Sequence, residues 1–488
     1  MAKILSNKQG MKKNILYSTA YQMFNVLTPI ITAPYLSRVL GADGIGIYSF
    51  TSSIQAYFIL FATLGTMSYG TREISMNRDN PSTYSQLFWE IEIMTIVTSI
   101  TALIAWLIMV AFCTENQVYY LILSLGIVAA LFDVTWFFNG MEQFKITVLR
   151  NVVIKILGII CIFSFVKNHD DLAIYILIVS ATTLCSSLAL WLYLRRYLVK
   201  VNVRDFRFLH HFKETLVYFI PSIATSVYTV LDRTLIGVIT KDNTENGYYQ
   251  QAEKIIAVAK SIVFTAVNSV VGVRISYLFS EKKYAEIHTQ IENSMNYIFF
   301  IGVGCCFGIL AVAKNFVPLF FGPGYDNVVP LLYIFAPIIV IIGVSNCIGT
   351  HYYVPCGKRA LSARFIVAGA VFNLSLNLVL IPKFQSYGAA IASVAAELLI
   401  TYLYVAYSGD YGNLHLLFST GFKKIIAGII MAIPVYFLNY LEISRLLLIL
   451  CQVLLGVIVY IIILIFLQDD WTMRIFSSVI KKIRIVRD

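Results

Sequence analysis

Asp232 and Arg233 stand side by side in TVLDRTLIGV, residues 229–238, among mostly aliphatic neighbours. Three further bases, Lys155, Lys254 and Lys260, also fall inside long apolar runs. A charge at bilayer depth costs at least ~2.5–3.5 kcal/mol on insertion scales, so such groups face a bundle interior or a wet cavity. A cavity with excess positive charge suits an anionic ligand. Diphosphate fits the chemistry, because guanidinium and ammonium groups both pair well with phosphate oxygens.

Polar residues accompany these charges at helical spacing. The first apolar run carries Ser18, Gln22, Asn25, Thr28, Thr32 and Tyr35 three or four residues apart, which is one helix face. The seventh carries Ser222, Thr225, Thr229 and Asp232. The eighth carries Gln250, Glu253, Lys254, Lys260, Ser261, Thr265, Asn268 and Gly272, a seam of roughly 33 Å at the helical rise. Hydroxyl stripes of this kind also join membrane helices to one another. Full charges are not needed for that task. Glu253 and Asp232 can neutralise two of the bases locally, and Lys260, about two turns from Glu253, has no obvious partner on its own helix. Glu90, Glu92, Asp133, Asp232, Glu253 and Glu397 lie inside or near the spans, and each is a candidate to carry a coupling proton or bind a cation, with Asp232 preferred. Glu90 and Glu92 fall near the inner surface and are expected to be solvated.

The elements that hold these residues are membrane helices. Of 488 residues, 59% are apolar and 13% charged, with a mean hydropathy of +0.77. Soluble domains carry about a quarter charged residues. Apolar runs long enough to span a bilayer recur along the chain, and their continuity argues against an outer-membrane barrel. About fourteen helices are expected, near 15–37, 44–66, 86–112, 118–138, 147–166, 172–194, 214–239, 247–275, 289–313, 328–353, 363–381, 387–408, 421–440 and 446–467.

With the N-terminus inside, inner segments hold 27 Lys and Arg and outer loops only six. The positive-inside rule then places both termini in the cytoplasm. It also explains the net charge of +11 without nucleic acid. The basic stretch 195–213 reads as a cytoplasmic linker that contacts anionic headgroups of membrane lipids. The expected organisation is a first six-helix bundle at 1–194, this linker, a second six-helix bundle at 214–408, and a helix pair with a cytoplasmic tail at 409–488.

The halves repeat. LSRVLGADGIGIYSF, 36–50, matches LDRTLIGVITKDNTENGYYQQA, 231–252: Leu-x-Arg-x-Leu, a polar turn, then Gly-x-Tyr. Arg38 corresponds to Arg233, Gly46 to Gly247 and Tyr48 to Tyr249. Six helices separate the copies, so the bundles are parallel, and transporters of that build carry their site between them. Prolines 29, 34, 221, 337 and 434 favour kinks. The eight cysteines show no metal or disulfide spacing. No phosphate-binding G-x-x-x-x-G-K-[ST] occurs, so ATP hydrolysis in this chain is unsupported. No cofactor is implied, and no outer loop is long enough for a catalytic domain, so the chain reads as a transporter and not an enzyme.

PYLSRVLGADGIGIYSF at 34–50, YGTREIS at 69–75, LDRTLIG at 231–237 and LFFGPGYDNVVPLLYIFAP at 319–337 resemble the Wzx-like polysaccharide flippases of the multidrug/oligosaccharidyl-lipid/polysaccharide (MOP) exporters. The resemblance covers essentially the whole chain. It implies an all-α, V-shaped membrane transporter with a cationic lumen in the bacterial plasma membrane. It implies flipping of undecaprenyl-diphosphate-linked oligosaccharide for O-antigen, capsule or exopolysaccharide, with a polymerase and a chain-length regulator as partners. Arg38, Arg233, Lys254 and Lys260 would be its lumen cations. The alternatives are a drug/cation antiporter of the same superfamily, which should show lumen acids without excess bases, and a membrane glycosyltransferase or ligase.

Overall fold

The computed structural model describes residues 2–201, 207–281, 283–475 and 477. All regular structure among them is helical. Without water in the bilayer core a backbone must satisfy its own polar groups, and a helix does so within one segment. Among the described residues ten helical stretches are long and apolar enough to cross a membrane. The chain is a multi-pass membrane protein. It divides into two compact units, 1–247 and 248–488.

The first unit begins with α1 (Ala2–Thr63), interrupted at Gly41, whose φ of 67° and ψ of 178° suit glycine. This break separates the expected first and second helices. There follow α2 (Thr66–Asn77), α3 (Pro81–Phe112), α4 (Gln117–Leu131), α5 (Thr135–Gly140), α6 (Phe144–Phe165), α7 (Leu172–Leu194) and α8 (Phe208–Thr240). Asn80 caps α3, its Oδ1 accepting from Ser82 N at 3.2 Å and Thr83 N at 3.3 Å, with Pro81 at the first position. One core cluster gathers Leu36, Trp106, Tyr120 and Ile176. Trp106 Nε1 donates to Tyr120 O at 3.1 Å, which frees the indole to be fully buried. A second gathers Phe88, Trp136, Phe137 and Leu190, with the Phe88 and Trp136 rings stacked at 5.5 Å.

The second unit holds most of α9 (Asn243–Ser280), then α10 (Tyr284–Phe320), α11 (Val328–Phe335), α12 (Ile338–Ile348), a π-helical turn at Gly349–Tyr353, α13 (Arg359–Ala406), α14 (Leu414–Phe437) and α15 (Arg445–Phe466). α13 is broken at Gln385, which has a φ of 51° and follows Pro382 by one turn. α10 and α14 approach closely because α14 carries glycines there. A Cβ on Gly421 would lie 2.7 Å from Phe299, and one on Gly428 2.6 Å from Phe307. α15 exposes Leu446, Leu450, Leu454, Val457 and Ile462 at helical spacing, an apolar face suited to lipid.

Three features depart from the sequence reading. The inner stretch 67–85 contains α2, which packs on α3 and α5. α8 starts at Phe208, so the last residues of the expected linker are its first turns. Glu90 and Glu92 are 4% and 0% exposed, not solvated. Glu90 meets His211 of α8, and Glu92 lies on the face of α3 whose Thr95 meets Thr66 of α2; without an expected α2 nothing local to α3 foretells that cover.

Candidate functional site

The repeated turns meet each other within unit 1. A Cβ on Gly46 would lie 1.6 Å from the carbonyl oxygen of Asn243, and one on Gly247 would lie 2.0 Å from that of Ala42. Ala42 precedes Gly46 as Asn243 precedes Gly247, so the contact is reciprocal. That is the pattern of two like elements related by a two-fold. Both glycines are required because backbone fills the place of any side chain.

Around this crossing α1, α8 and the first turn of α9 form a polar seam. Ser49 Oγ donates to Asn246 Oδ1 at 3.3 Å, and Asn246 Nδ2 donates to the backbone carbonyl of Arg233 at 2.7 Å. Thr234 Oγ1 lies 2.8 Å from Ser53 Oγ and 3.2 Å from Tyr57 OH. Arg233 is within electrostatic reach of Tyr48 and Tyr57, and Asp232 of Tyr57. Asp232 itself is 4% exposed. The Asp–Arg pair therefore faces a polar helix interface and not lipid.

Asn25, on the first half of α1, accepts a hydrogen bond from Lys155 Nζ of α6 at 2.7 Å. Lys155 stands near the middle of the 22-residue α6, so its ammonium is held at bilayer depth by a neutral amide. Gln22, one turn earlier, is exposed. Thr28 and Thr32 bond back to the carbonyls four residues before them, at 2.9 and 3.1 Å. That part of the first stripe satisfies its own helix. Arg38 is exposed, with Nη1 donating to Pro34 O at 3.2 Å.

In unit 2, α9 carries Gln250, Glu253, Lys254 and Lys260. Gln250 is 7% exposed and its Oε1 has no hydrogen-bond partner among the described residues. Glu253, Lys254 and Lys260 are half-buried. The side chains of Asn268, Thr265, Ser222 and Thr225 lie outside the described ones, as does that of Ser18.

Beside these residues lies an apolar cavity of about 590 Å³, lined by Ile255, Ala259 and Ile262 of α9, Phe300 and Ile309 of α10, Met431 of α14 and Val457 of α15, among others. Among its polar lining groups, Gln452 Nε2 donates to Val435 O at 3.2 Å and Asn439 Oδ1 at 2.8 Å, its Oε1 has no hydrogen-bond partner among the described residues, and Tyr460 OH donates to Phe300 O at 3.0 Å. The space is suited to hydrocarbon.

Two buried charged clusters were missed by sequence reasoning. His211 lies between α2 and α3, with Nδ1 2.6 Å from Tyr69 OH and Nε2 2.5 Å from Glu90 Oε2. Gln86 Nε2 donates to the other oxygen of Glu90 at 3.0 Å. In unit 2 Lys424, counted above as an inner-loop base, is fully buried. Its Nζ donates to Asp469 Oδ1 at 2.9 Å, Asn296 Oδ1 at 2.9 Å and Thr420 O at 2.8 Å. Burial alone would push the Asp469 carboxyl up, but hydrogen bonds from Thr472 and Lys424 hold it below the usual carboxylate range. All eight cysteines are free. Among the described residues no group of three His, Cys, Asp or Glu is placed to hold a metal ion.

This fold is shared with solved MOP-superfamily transporters. The solved structure of the lipid II flippase MurJ in its inward closed conformation matches at a TM-score of 0.74 and 16% identity, over 93% of this chain and 99% of that one. The solved structure of the MATE multidrug transporter DinF-BH matches at 0.58 and 14% identity, over 84% of this chain and 96% of that one. At such identities the likeness shows the fold alone. Residues 11–273 match the family described as "Polysaccharide biosynthesis protein". That is more than half of the sequence, and the chain belongs to this family. It is 26% identical over 407 residues to the "Putative O-antigen transporter" of Escherichia coli (strain K12), covering 82% of this chain and 96% of that protein. It is also 26% identical over 237 residues, 48% of this chain and 49% of that protein, to the "Probable low-salt glycan biosynthesis flippase Agl15" of Haloferax volcanii.

Proposed function

We propose that this protein flips undecaprenyl-diphosphate-linked oligosaccharide from the cytoplasmic to the outer leaflet of a bacterial plasma membrane, with both termini in the cytoplasm. The observation that carries this reading is Lys155. It is an ammonium near the middle of a membrane helix whose hydrogen-bond partner is the amide of Asn25 rather than a carboxylate. Among the described residues no carboxylate forms an ion pair with it, which leaves its charge for a phosphate contact. Arg38, Arg233, Lys254 and Lys260 are assigned the same task, with Asp232, Glu253, Gln22, Gln250 and Asn268 as polar lining. Asn25 then serves as the residue that aims Lys155.

The diphosphate meets these cations, the glycan fills wet space, and the polyprenyl tail stays in lipid or in the apolar cavity of unit 2. That cavity is lined almost wholly by hydrocarbon, and isoprenoid burial gains about 25 cal/mol per Å². The two six-helix bundles at 1–194 and 214–408, joined by 195–213 and followed by 409–488, exchange access from one face to the other. A polymerase and its chain-length regulator consume the product. The homologues named as O-antigen transporter and glycan flippase support this substrate class. The test is complementation. Replacing Arg233 and Lys254 together with Ala should abolish surface polysaccharide at normal expression, and full complementation by the double variant would reject their role.

A further inference from the structure

Glu92 is a poorly accommodated group in unit 1. It is 0% exposed, and neither carboxyl oxygen has a hydrogen-bond partner among the described residues. It lies on a buried face of α3 with Ser85, Phe88, Thr95 and Ser99, spaced three or four apart. Thr95 Oγ1 meets Thr66 Oγ1 of α2 at 3.3 Å. One turn before Glu92, Trp136 of α5 stacks on Phe88, and its own buried Nε1 has no hydrogen-bond partner among the described residues.

The charged and titratable groups around this core are few and mostly committed. Asp133, after α4, is within electrostatic reach of Glu92, and its Oδ1 accepts from Thr135 N at 3.0 Å and Thr135 Oγ1 at 2.5 Å. Arg150 of α6 is within electrostatic reach of Asp133, Tyr21 of α1 and Tyr193 of α7; its Nη1 donates to Ser186 O and its Nη2 to Asn151 Oδ1 at 2.6 Å, while its buried Nε has no hydrogen-bond partner among the described residues. Tyr69 of α2 and His211 of α8 are bound into the chain that ends on Glu90. Two residues along a helix point to nearly opposite sides, so that chain does not serve Glu92. α1 presents to α3 the Ala62 carbonyl, which accepts from Thr98 at 2.6 Å.

An ionised carboxylate in such a place loses its hydration with nothing in exchange, and Asp133 adds repulsion. The uncharged acid avoids both penalties. A bound metal ion would remove them as well, but the described residues offer no set of three acidic, His or Cys ligands. The geometry points to Glu92 as a proton-binding site, with one proton taken from water by the carboxylate and returned to water, leaving the carboxylate, when a conformational change admits solvent. That this proton drives substrate movement rests on the flippase reading above; that Glu92 binds it does not.

Two measurements keep those claims apart. In the infrared spectrum of the purified full chain at neutral pH, the wild type should show a carboxylic-acid C=O band that is missing from both Glu92→Gln and Glu92→Met. Glu90→Gln should keep it. Survival of the band in the Glu92 variants overturns the proton site whether or not the protein moves any lipid. Met has Glu's length and no polar hydrogen, so it covers the case in which Gln does not fold. In proteoliposomes carrying a fluorescent undecaprenyl-diphosphate-linked trisaccharide, the wild-type rate should rise under an imposed pH gradient. The ratio of driven to undriven rate should collapse in both Glu92 variants. A ratio unchanged by the substitutions overturns the coupling role, and a wild type that moves no trisaccharide overturns the flippase reading while the infrared result stands.

Discussion

Lys155 in unit 1 and Lys424 in unit 2 are both lysines within apolar helices, and their surroundings differ in kind. Lys424 is 0% exposed, and its ammonium donates to a carboxylate, an amide and a backbone carbonyl. A lysine has three donors, and all three are used. Lys155 donates to one amide oxygen. The first arrangement discharges the cation and ties α14 to the chain just beyond α15. The second orients the ammonium through one amide and, among the described residues, pairs it with no carboxylate. On the proposed function, the extent to which a charge within a helix is satisfied separates a structural lysine from a functional one.

Breaking the comparison at Lys424 should have the largest effect. Lys424→Met leaves the Asp469 carboxylate buried without its partner, and such a loss costs about 3–5 kcal/mol. Thermal unfolding of the detergent-purified protein should show it as a clear fall in midpoint. The double variant Lys424→Met with Asp469→Leu should recover most of the loss, since a matched hydrophobic pair is often neutral. Lys155→Met should behave in the opposite way. A hydrogen bond to a charged group is worth about 1.5–3 kcal/mol, so glycan flipping should fall roughly ten- to a hundredfold while the thermal midpoint stays close to wild type. A large midpoint loss for Lys155→Met would place it beside Lys424 as a structural group.

The smallest effect sharpens the comparison through pH. The Asp469 carboxyl is held below its ordinary range in the folded state. Its contribution is therefore complete above the unfolded carboxylate value and is lost as pH falls through the folded one. Acid titration of stability should be less steep in Asp469→Asn than in wild type on that limb, and identical slopes would remove Asp469 from the account.

Much of the frame was legible in the sequence because the relevant physics is local. Apolar length fixes a membrane helix, and the breaks at Gly41 and Gln385 fall where loops were expected between apolar runs. The repeat of Gly46 and Gly247 was visible as a pattern, and the structure supplies its reason in two backbones that leave no space for a Cβ. What stayed hidden depended on partners distant in sequence. His211 sits among six bases and reads as linker, yet Glu90 and Tyr69, more than a hundred residues earlier, bury it. Lys424 follows another lysine and reads as an inner-surface charge until Asp469 is found beside it. Lys155 was visible as a stranded base, and Asn25 as part of a stripe, but nothing in either segment says that they meet.

The central claim is that positioned cations recognise a phosphorylated lipid head. It is tested most directly by reconstituting the wild-type protein in liposomes with one defined oligosaccharide carried on two lipids, undecaprenyl diphosphate and an uncharged undecaprenyl ether. Leaflet exchange is then followed by accessibility of the glycan to an external glycosidase. The diphosphate-linked glycan should cross rapidly and the ether-linked one at the rate of protein-free vesicles. Equal crossing of both would contradict the account.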